Sequence, residues 1–151
     1  MSALPQRIAV TGASGLIGSA LVGHLKSEGH TVQRLVRRLP VSPDEVQWDP
    51  STGYVDTAAL AGVDAVIHLA GVGVGDKRWS KKYKSQILNS RLLGTEAIAK
   101  AVAEVKPQVF ISASAIGWYG ESGNRAVVES DRVGDDFLAA VCREWEAACL
   151  L

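Results

Sequence analysis

Three glycines, Gly12, Gly15 and Gly18, recur every three residues in the stretch VTGASGLIGSAL. The stretch follows an apolar run, RIAVTG, that predicts a buried strand, and it opens a segment with helical periodicity. In such a strand–turn–helix, the first glycine permits a sharp turn, the second allows a pyrophosphate to approach, and the third lets the helix pack closely. Free N–H groups and the dipole at a helix start attract phosphates. The spacing therefore predicts a dinucleotide site rather than glycines that serve packing alone. The candidate contacts are Gly12, Ser14, Gly15, Leu16, Ile17 and Gly18.

The choice of dinucleotide depends on the end of the second predicted strand, TVQRLVRR (31–38). An acidic residue at this place binds the ribose 2′-hydroxyl of NAD, whereas an arginine accommodates the 2′-phosphate of NADP. The strand ends in Arg37 and Arg38, and no acid follows until Asp44. Each guanidinium can donate two hydrogen bonds to a phosphate. The sequence therefore favours NADP(H) as the cofactor, with NAD(H) as the alternative. The other interpretation of Arg37 and Arg38 is that they are solvated side chains at a strand end, without a role in binding.

Strands that alternate with helices must position these residues. We predict strands at 7–12, 31–38, 46–49, 64–71 and 108–115, and helices at 14–29, 80–105 and from about 135, with at most two helical turns at 56–62. In the first helix, Ile17, Leu21 and Leu25 form the apolar stripe, with Ser14 as N-cap and Gly29 as C-cap. This alternation predicts an α/β fold, a Rossmann-type doubly wound parallel sheet with strand order 3-2-1-4-5.

Composition excludes several classes of protein. Apolar residues make up 47% and charged residues 21%, which is typical of a globular domain. The 16 basic and 16 acidic residues cancel, which argues against a nucleic-acid or membrane-surface partner. The sequence contains no apolar run long enough to span a membrane and no secretory signal. It also contains no His, Cys and acidic cluster with the spacing of metal ligands. Two sparse cysteines, Cys142 and Cys149, indicate reduced thiols in a cytoplasmic protein.

The end of the sequence, EWEAACLL, stops within a helical pattern without a glycine, a proline or a polar tail. We therefore expect further residues after 151. On this expectation, residues 1–151 are the NADP-binding Rossmann domain of a longer protein, whose later strands and small C-terminal domain follow.

Four segments together resemble short-chain dehydrogenase/reductases of the extended type. They are TGASGLIG, the segment HLAG (68–71), Asp49 at the end of the third strand, and SASAIGWYG (112–120). The resemblance implies that Leu69, Ala70, Gly71 and Ser112 line the nicotinamide side and that Asp49 contacts the adenine. It also implies that the Ser114 hydroxyl lies against a substrate oxygen.

A narrower resemblance rests on an ordered set of shorter motifs: RW (78–79), SRLLGT (90–95), SAIGWYG (114–120) and FLAAVCREWE (137–146). Together these are similar to the atypical epimerase-family proteins, longer chains described as NAD(P)-dependent nucleoside-diphosphate-sugar epimerases. The substrates of that group are generally undefined.

The sequence departs from this family at its usual proton-transfer pair. Most members carry Tyr-x-x-x-Lys early in the helix after the serine segment, and no such pair occurs here. Phe137 and Val141 stand at those positions, and Arg91 replaces the usual asparagine before the GT of SRLLGT. Ser114 and Tyr119 remain as candidate catalytic residues. Tyr119 has the alternative interpretation of an aromatic cover on its loop.

Two functional hypotheses follow. The first is an NADP(H)-dependent epimerase or reductase that acts on a hydroxyl or carbonyl of a sugar nucleotide or similar small molecule. The second is a non-catalytic NADP(H)-binding module with a regulatory or redox-sensing role, which the missing Tyr/Lys pair motivates. The sequence leaves the oligomeric state open.

Overall fold

A six-stranded sheet with helices on both faces organises the computed structural model, which describes residues 4–150. Residues 1–3 and 151, the ends of the predicted domain, lie outside the described residues. The strands are β1 (Arg7–Thr11), β2 (Thr31–Val36), β3 (Glu45–Asp49), β4 (Tyr54–Val55), β5 (Ala65–His68) and β6 (Val109–Ser112). The helices are α1 (Leu16–Ser27), α2 (Lys81–Val105) and α3 (Phe137–Ala147), with a 3₁₀ turn at Ile116–Tyr119.

The strand order is β4-β3-β2-β1-β5-β6. All neighbouring pairs are parallel except β3 and β4, which form a short antiparallel pair. The five predicted strands therefore occur in the predicted order, and the Rossmann-type fold class is confirmed. The added strand β4 was not predicted, because two residues are too few to show a periodic pattern.

The core lies in two layers, one on each face of the sheet. Ile8 and Val10 of β1 pack with Val22 of α1 on one face. Ala9, between them, packs with Ile98 of α2 on the other face. Successive side chains of a strand point to opposite faces, so both layers are built from one apolar run. This arrangement leaves the carboxyl ends of the strands free to form a site.

Helix α1 differs from its prediction at the N-terminal end. It begins at Leu16, and Gly15 occupies the N-cap position without a side-chain hydrogen bond, so Ser14 is not the N-cap. Ile17 is 71% exposed and lies outside the stripe, which runs over the buried Gly18 and Val22. The first turn faces outward because the preceding glycine turn, not the core, lies beneath it.

The C-terminal end of α1 is close to its prediction. Glu28 is the C-cap, and Gly29 follows it with a φ of +86°. The Gly29 N–H donates to Lys26 O, and the His30 N–H donates to Leu25 O. Both bonds belong to a Schellman motif, which glycine favours because it adopts the left-handed conformation without strain.

The predicted helical turns at 56–62 are wrong. The segment forms successive tight turns, in which Leu60 N–H donates to Thr57 O and Ala61 N–H donates to Ala58 O. Gly62, with a φ of +75°, ends the segment immediately before β5. Helix α2 begins within one residue of its prediction, with Ser80 as its N-cap. Across residues 4–150, no helix is both long and apolar enough to cross a membrane.

Candidate functional site

The turn after β1 lies directly against the segment after β5. Gly12 has a φ of +66°, which disfavours any residue with a side chain. A Cβ added there would lie 2.8 Å from Leu69 C and 3.0 Å from Ala70 N. The backbone therefore needs glycine for both its conformation and its close approach. The contact brings the predicted phosphate turn and the predicted nicotinamide-side segment together.

The start of α1 is equally close to this turn. A Cβ on Gly18 would lie 2.1 Å from Gly12 O, and the Gly15 N–H donates to the same oxygen at 3.0 Å. In the part of the chain that the structure describes, no acceptor engages the N–H groups of Leu16, Ile17 and Gly18. Leu16 is 92% exposed. These open donors at a helix N-terminus have the chemistry of a phosphate site.

Thr11 and His68 join the two strands beneath the site. Thr11 Oγ1 accepts hydrogen bonds from Leu69 N at 3.0 Å and Ala70 N at 3.3 Å. It also lies 2.7 Å from His68 Nδ1, and both side chains are fully buried. Thr11 was not predicted from sequence, although a polar residue at the end of a buried strand, next to Gly12, was a usable signal. The pair holds the segment after β5 in place.

His68 should make stability depend on pH. Burial lowers the pKa of His68 to about 4, whereas the unfolded chain titrates near 6.5. The neutral imidazole is therefore favoured in the folded state, and its contribution is complete above pH 6.5. As the pH falls from 6.5 to 4, the unfolded state takes up the proton first, and about 3 kcal/mol is lost.

Urea unfolding between pH 7.5 and pH 4 measures this effect. Substitution His68→Gln should flatten the slope over that interval, whatever its own cost in stability. The exposed His24 provides the matched control, His24→Gln, which should keep the wild-type slope. A wild-type slope in His68→Gln would show that another group is responsible.

The two arginines after β2 lie in different environments. Arg38 donates to both carboxylate oxygens of Glu45, at 2.7 Å and 2.6 Å. The Glu45 side chain is only 2% exposed and also accepts from Arg34 and from the Val41 N–H. Arg37 is exposed and forms no ion pair within residues 4–150. Arg37 is thus the arginine whose guanidinium is free to receive a phosphate.

Glu45 was not identified from sequence. The Arg38 hydrogen bonds, together with the Val41 N–H, lower the pKa of Glu45 to about 2. The carboxylate therefore stays ionised and keeps the loop between β2 and β3 attached to β3. The same network holds Arg38 near the strand ends.

Asp49, predicted to contact the adenine, ends β3 at the same edge of the sheet as the glycine turn. Its Oδ1 accepts from the Ser51 hydroxyl at 2.6 Å and from the Ser51 N–H at 2.9 Å. These hydrogen bonds lower the pKa of Asp49. The carboxylate is thus ionised and already oriented by its own turn.

The serine segment lies beside β5. Ser112 pairs in register with His68, and the Ser114 hydroxyl donates to Glu146 Oε1 of α3. Both serines line an open cleft of about 310 Å³. The other lining residues are Phe110, Ala113, Glu146 and Cys149. Tyr119 lies in the 3₁₀ turn, and no hydrogen bond joins it to Ser114. The structure thus brings the two serines together in one cleft, and Tyr119 is not among the residues that line it.

An aromatic cluster surrounds Phe137, at the position where the resemblance places a tyrosine. The rings of Trp79 and Phe137 meet edge to face at 5.5 Å between centroids. Lys84 Nζ lies 4.9 Å from the Phe137 centroid and 5.5 Å from the Trp79 centroid. The Trp79 N–H donates to Val74 O within the same segment, and the Trp79–Phe137 contact packs this segment against α3. Phe137 therefore contributes packing at this position, and its side chain has no proton to donate.

Metal-binding chemistry has no support in the described chain. No group of three or more His, Cys, Asp or Glu side chains between residues 4 and 150 is arranged to hold a metal ion. Cys142 and Cys149 are free thiols; Cys142 is buried in α3 and Cys149 follows the helix.

Comparisons with known proteins agree with this geometry. Residues 8–136 match the model of the NAD dependent epimerase/dehydratase family. An epimerase family protein of Mycobacterium leprae is 46% identical over 143 residues, which cover 95% of this chain and 47% of that protein. The chain spans about half the length of the curated relatives it matches.

Two solved structures are similar in fold. A nucleoside-diphosphate sugar epimerase of Corynebacterium glutamicum superposes with a TM-score of 0.83 and 40% identity, over 97% of this chain and 30% of that chain. The human epimerase family protein SDR39U1, solved with NADPH, superposes with a TM-score of 0.81 and 30% identity. That match covers 95% of this chain and 48% of the human one.

Proposed function

The chain belongs to the NAD dependent epimerase/dehydratase family, and from this premise we propose that it binds NADP(H) and acts on a nucleoside-diphosphate sugar or a similar hydroxyl or carbonyl substrate. The observation that carries the proposal is the turn from Gly12 to Gly18. There three N–H groups at the start of α1 lack acceptors in the described chain, and close contacts exclude side chains. NADPH in the human neighbour supports the choice of cofactor.

The residues at the strand ends divide the dinucleotide site into three parts. The N–H groups of Leu16, Ile17 and Gly18 would hold the pyrophosphate. Arg37, free of an ion pair in the described chain, would take the 2′-phosphate of the adenosine, with Arg38 beside it and Asp49 at the adenine. Leu69, Ala70, Gly71 and Ser112 would line the nicotinamide side. When bound, the nicotinamide supplies hydride transfer.

Ser114 is the residue that we place against the substrate oxygen. Its hydroxyl donates to Glu146 in the structure, so the hydroxyl oxygen can accept a hydrogen bond from a substrate hydroxyl in the same cleft. Tyr119, in the 3₁₀ turn that follows the serine segment, is a second candidate for proton transfer.

A non-catalytic NADP(H)-binding module is the second candidate function. The observation that favours it is the packing of Phe137 against Trp79 and Lys84, together with the buried Val141. Neither side chain can exchange a proton with a substrate, and the site would then act by binding alone.

Substitutions at the two candidate catalytic residues separate these functions. In an enzyme, Ser114→Ala should lower turnover by about 100-fold, because a positioned hydroxyl is lost from the transition state. Tyr119→Phe should lower turnover only if its hydroxyl transfers the proton. Neither change should alter NADPH affinity by more than about twofold, since neither residue contacts the glycine turn.

The measurement is turnover of UDP-glucose and related UDP-sugars with NADP⁺ or NADPH, followed by product chromatography and nicotinamide absorbance. Ser85→Ala, at an exposed serine of α2, is the matched control. Wild-type turnover in Ser114→Ala would remove Ser114 from the mechanism. Wild-type protein that binds NADPH but converts no substrate would favour the binding module.

A further inference from the structure

We propose that Glu146 completes the proton-transfer group of this chain, in which Ser114 contacts the substrate oxygen and the Glu146 carboxylate accepts the serine proton. The inference deepens the proposed function and rests on it, since it requires turnover of a hydroxyl or carbonyl substrate. It assigns to α3 the acid–base role that the absent Tyr-x-x-x-Lys pair leaves unfilled. Because Glu146 acts through Ser114, it is a positioning residue and does not itself contact the substrate.

The hydrogen bond between the two side chains is short and direct. The Ser114 hydroxyl donates to Glu146 Oε1 at 2.5 Å, a length typical of hydrogen bonds from a hydroxyl to a carboxylate. The carboxylate makes no other hydrogen bond and no ion pair within residues 4–150. A serine hydroxyl has one proton and two lone pairs, so this bond commits the proton and leaves the lone pairs free. A substrate hydroxyl can therefore donate to Ser114 Oγ while Oγ donates to the carboxylate.

Packing of α3 on the serine segment fixes the position of Glu146. Cys142, one helical turn earlier, is buried, and its Sγ lies 3.7 Å from Ala115 O. Residues four apart share one face of a helix, so Glu146 lies on the face that meets the serine segment. A Cβ added to Gly117 would lie 3.2 Å from Leu138 Cβ, so the contact continues towards the start of α3. The docked helix therefore places the carboxylate beside the serine hydroxyl.

The pair lies at the edge of the sheet where we propose that the cofactor binds. The Ala113 N–H donates to His68 O at 2.9 Å, so pairing with β5 extends to the residue before Ser114. Leu69, which follows His68, begins the segment proposed to line the nicotinamide side. Both members of the pair line the same open cleft. The proton-transfer group and the proposed nicotinamide side are thus neighbours at the strand ends.

Oxidation of a substrate hydroxyl shows how protons and electrons balance. The substrate O–H bond breaks as its proton moves to Ser114 Oγ, and the original Ser114 proton moves to Glu146 Oε1. The C–H bond of the same carbon breaks, and its two electrons leave as hydride to an oxidised nicotinamide dinucleotide. The C–O single bond becomes a carbonyl. When the hydride returns, the proton passes back from Glu146 through Ser114 to the substrate oxygen.

A structural link between α3 and the serine segment is the competing explanation for this hydrogen bond. Both side chains are exposed, and one hydrogen bond contributes only about 1 kcal/mol to stability. Glutamine separates the two explanations, because its amide oxygen accepts the serine hydrogen bond but does not take up the proton. The variant Glu146→Gln thus keeps a structural link and removes a proton acceptor.

The kinetic test measures kcat and KM for UDP-glucose and related UDP-sugars with NADP⁺ or NADPH. We expect Glu146→Gln to lower kcat by about 100-fold, with KM within about twofold and an unchanged thermal unfolding midpoint. Glu146→Asp, which keeps a carboxylate on a shorter side chain, should recover part of kcat. Combining Glu146→Gln with Ser114→Ala should be no slower than Ser114→Ala alone, because the two residues act as a unit. Glu144→Gln, at an exposed acid of the same helix, should match wild type.

A second measurement needs no turnover. The ¹³C resonance of the Glu146 carboxylate, recorded at pH 7 in the protein without ligands, should move in Ser114→Ala because its hydrogen-bond donor is lost. Ser85→Ala, at an exposed serine of α2, should leave the resonance in place. An unmoved resonance in Ser114→Ala would show that the two side chains do not interact and would overturn the inference.

Three kinetic results would also overturn it. Wild-type kcat in Glu146→Gln would exclude proton transfer to Glu146 while leaving the proposed function intact. A lower unfolding midpoint and a raised KM in Glu146→Gln, with no recovery of kcat in Glu146→Asp, would assign Glu146 a structural role only. Wild-type protein that binds NADPH but converts no substrate would refute the proposed enzymatic function itself, and this inference with it.

Discussion

Replacing Gly18 by alanine is expected to abolish NADPH binding and to lower the free energy of unfolding by about 3 kcal/mol. The added Cβ would lie 2.1 Å from Gly12 O and 2.8 Å from Gly12 C, and both are backbone atoms. Since neither can move without disturbing the turn, α1 must shift away from β1. That shift would separate the open N–H groups from the strand ends, where the phosphates are expected. Urea unfolding and fluorescence titration with NADPH measure both effects.

Gly23 offers a matched control in the same helix. A Cβ at Gly23 meets no atom within 4 Å. Gly23→Ala should therefore stabilise the protein by up to about 1 kcal/mol, because alanine favours the helix interior over glycine. It should leave NADPH affinity unchanged. Wild-type NADPH binding by Gly18→Ala would show that close packing of α1 on the turn is not what builds the phosphate site.

Substitution Arg37→Gln is expected to weaken NADPH binding about tenfold or more while leaving NADH affinity unchanged. The two cofactors differ only in the 2′-phosphate, so a residue that binds this group affects one of them. Arg37 is exposed and forms no ion pair in the described chain. Its charge is therefore available to the phosphate without breaking an existing contact. Parallel titrations with the two cofactors give the ratio directly.

Arg132→Gln is the control, because Arg132 is another exposed arginine with no ion pair in the described residues. Arg38→Gln makes a further comparison, since it removes the main partner of the buried Glu45 and should lower the melting temperature by several degrees. An equal loss of NADPH and NADH affinity in Arg37→Gln would contradict selection by the 2′-phosphate.

The fold followed largely from local patterns. Five apolar runs bounded by glycine, proline and polar residues predicted five strands, and the structure places them in the predicted order. The errors lie where local patterns mislead. The segment 56–62 has helix-favouring alanines, but bonds between residues three apart close it into turns. Ile17 fits the helical period, yet it faces outward because the first turn of α1 borders the site.

The candidate site was predictable at positions where close backbone contacts allow only glycine. Gly12 and Gly18 show this, because their close contacts exclude every side chain. Pairs of distant residues were not predictable. Thr11 and His68 are 57 positions apart, and no local pattern relates them. The contact of the Arg91 guanidinium with Gly71, where an added Cβ would lie 3.3 Å from Cζ, likewise depends on how α2 crosses the sheet.

The central claim is that the turn from Gly12 to Gly18 binds NADP(H), and equilibrium titration of the wild-type protein with NADPH and NADH tests it most directly. We expect saturable binding of NADPH, about tenfold tighter than binding of NADH. Equal affinities for NADPH and NADH would be consistent with dinucleotide binding at the glycine turn but would contradict the role of Arg37 in selecting the 2′-phosphate. Failure of the protein to bind either dinucleotide would contradict the central claim.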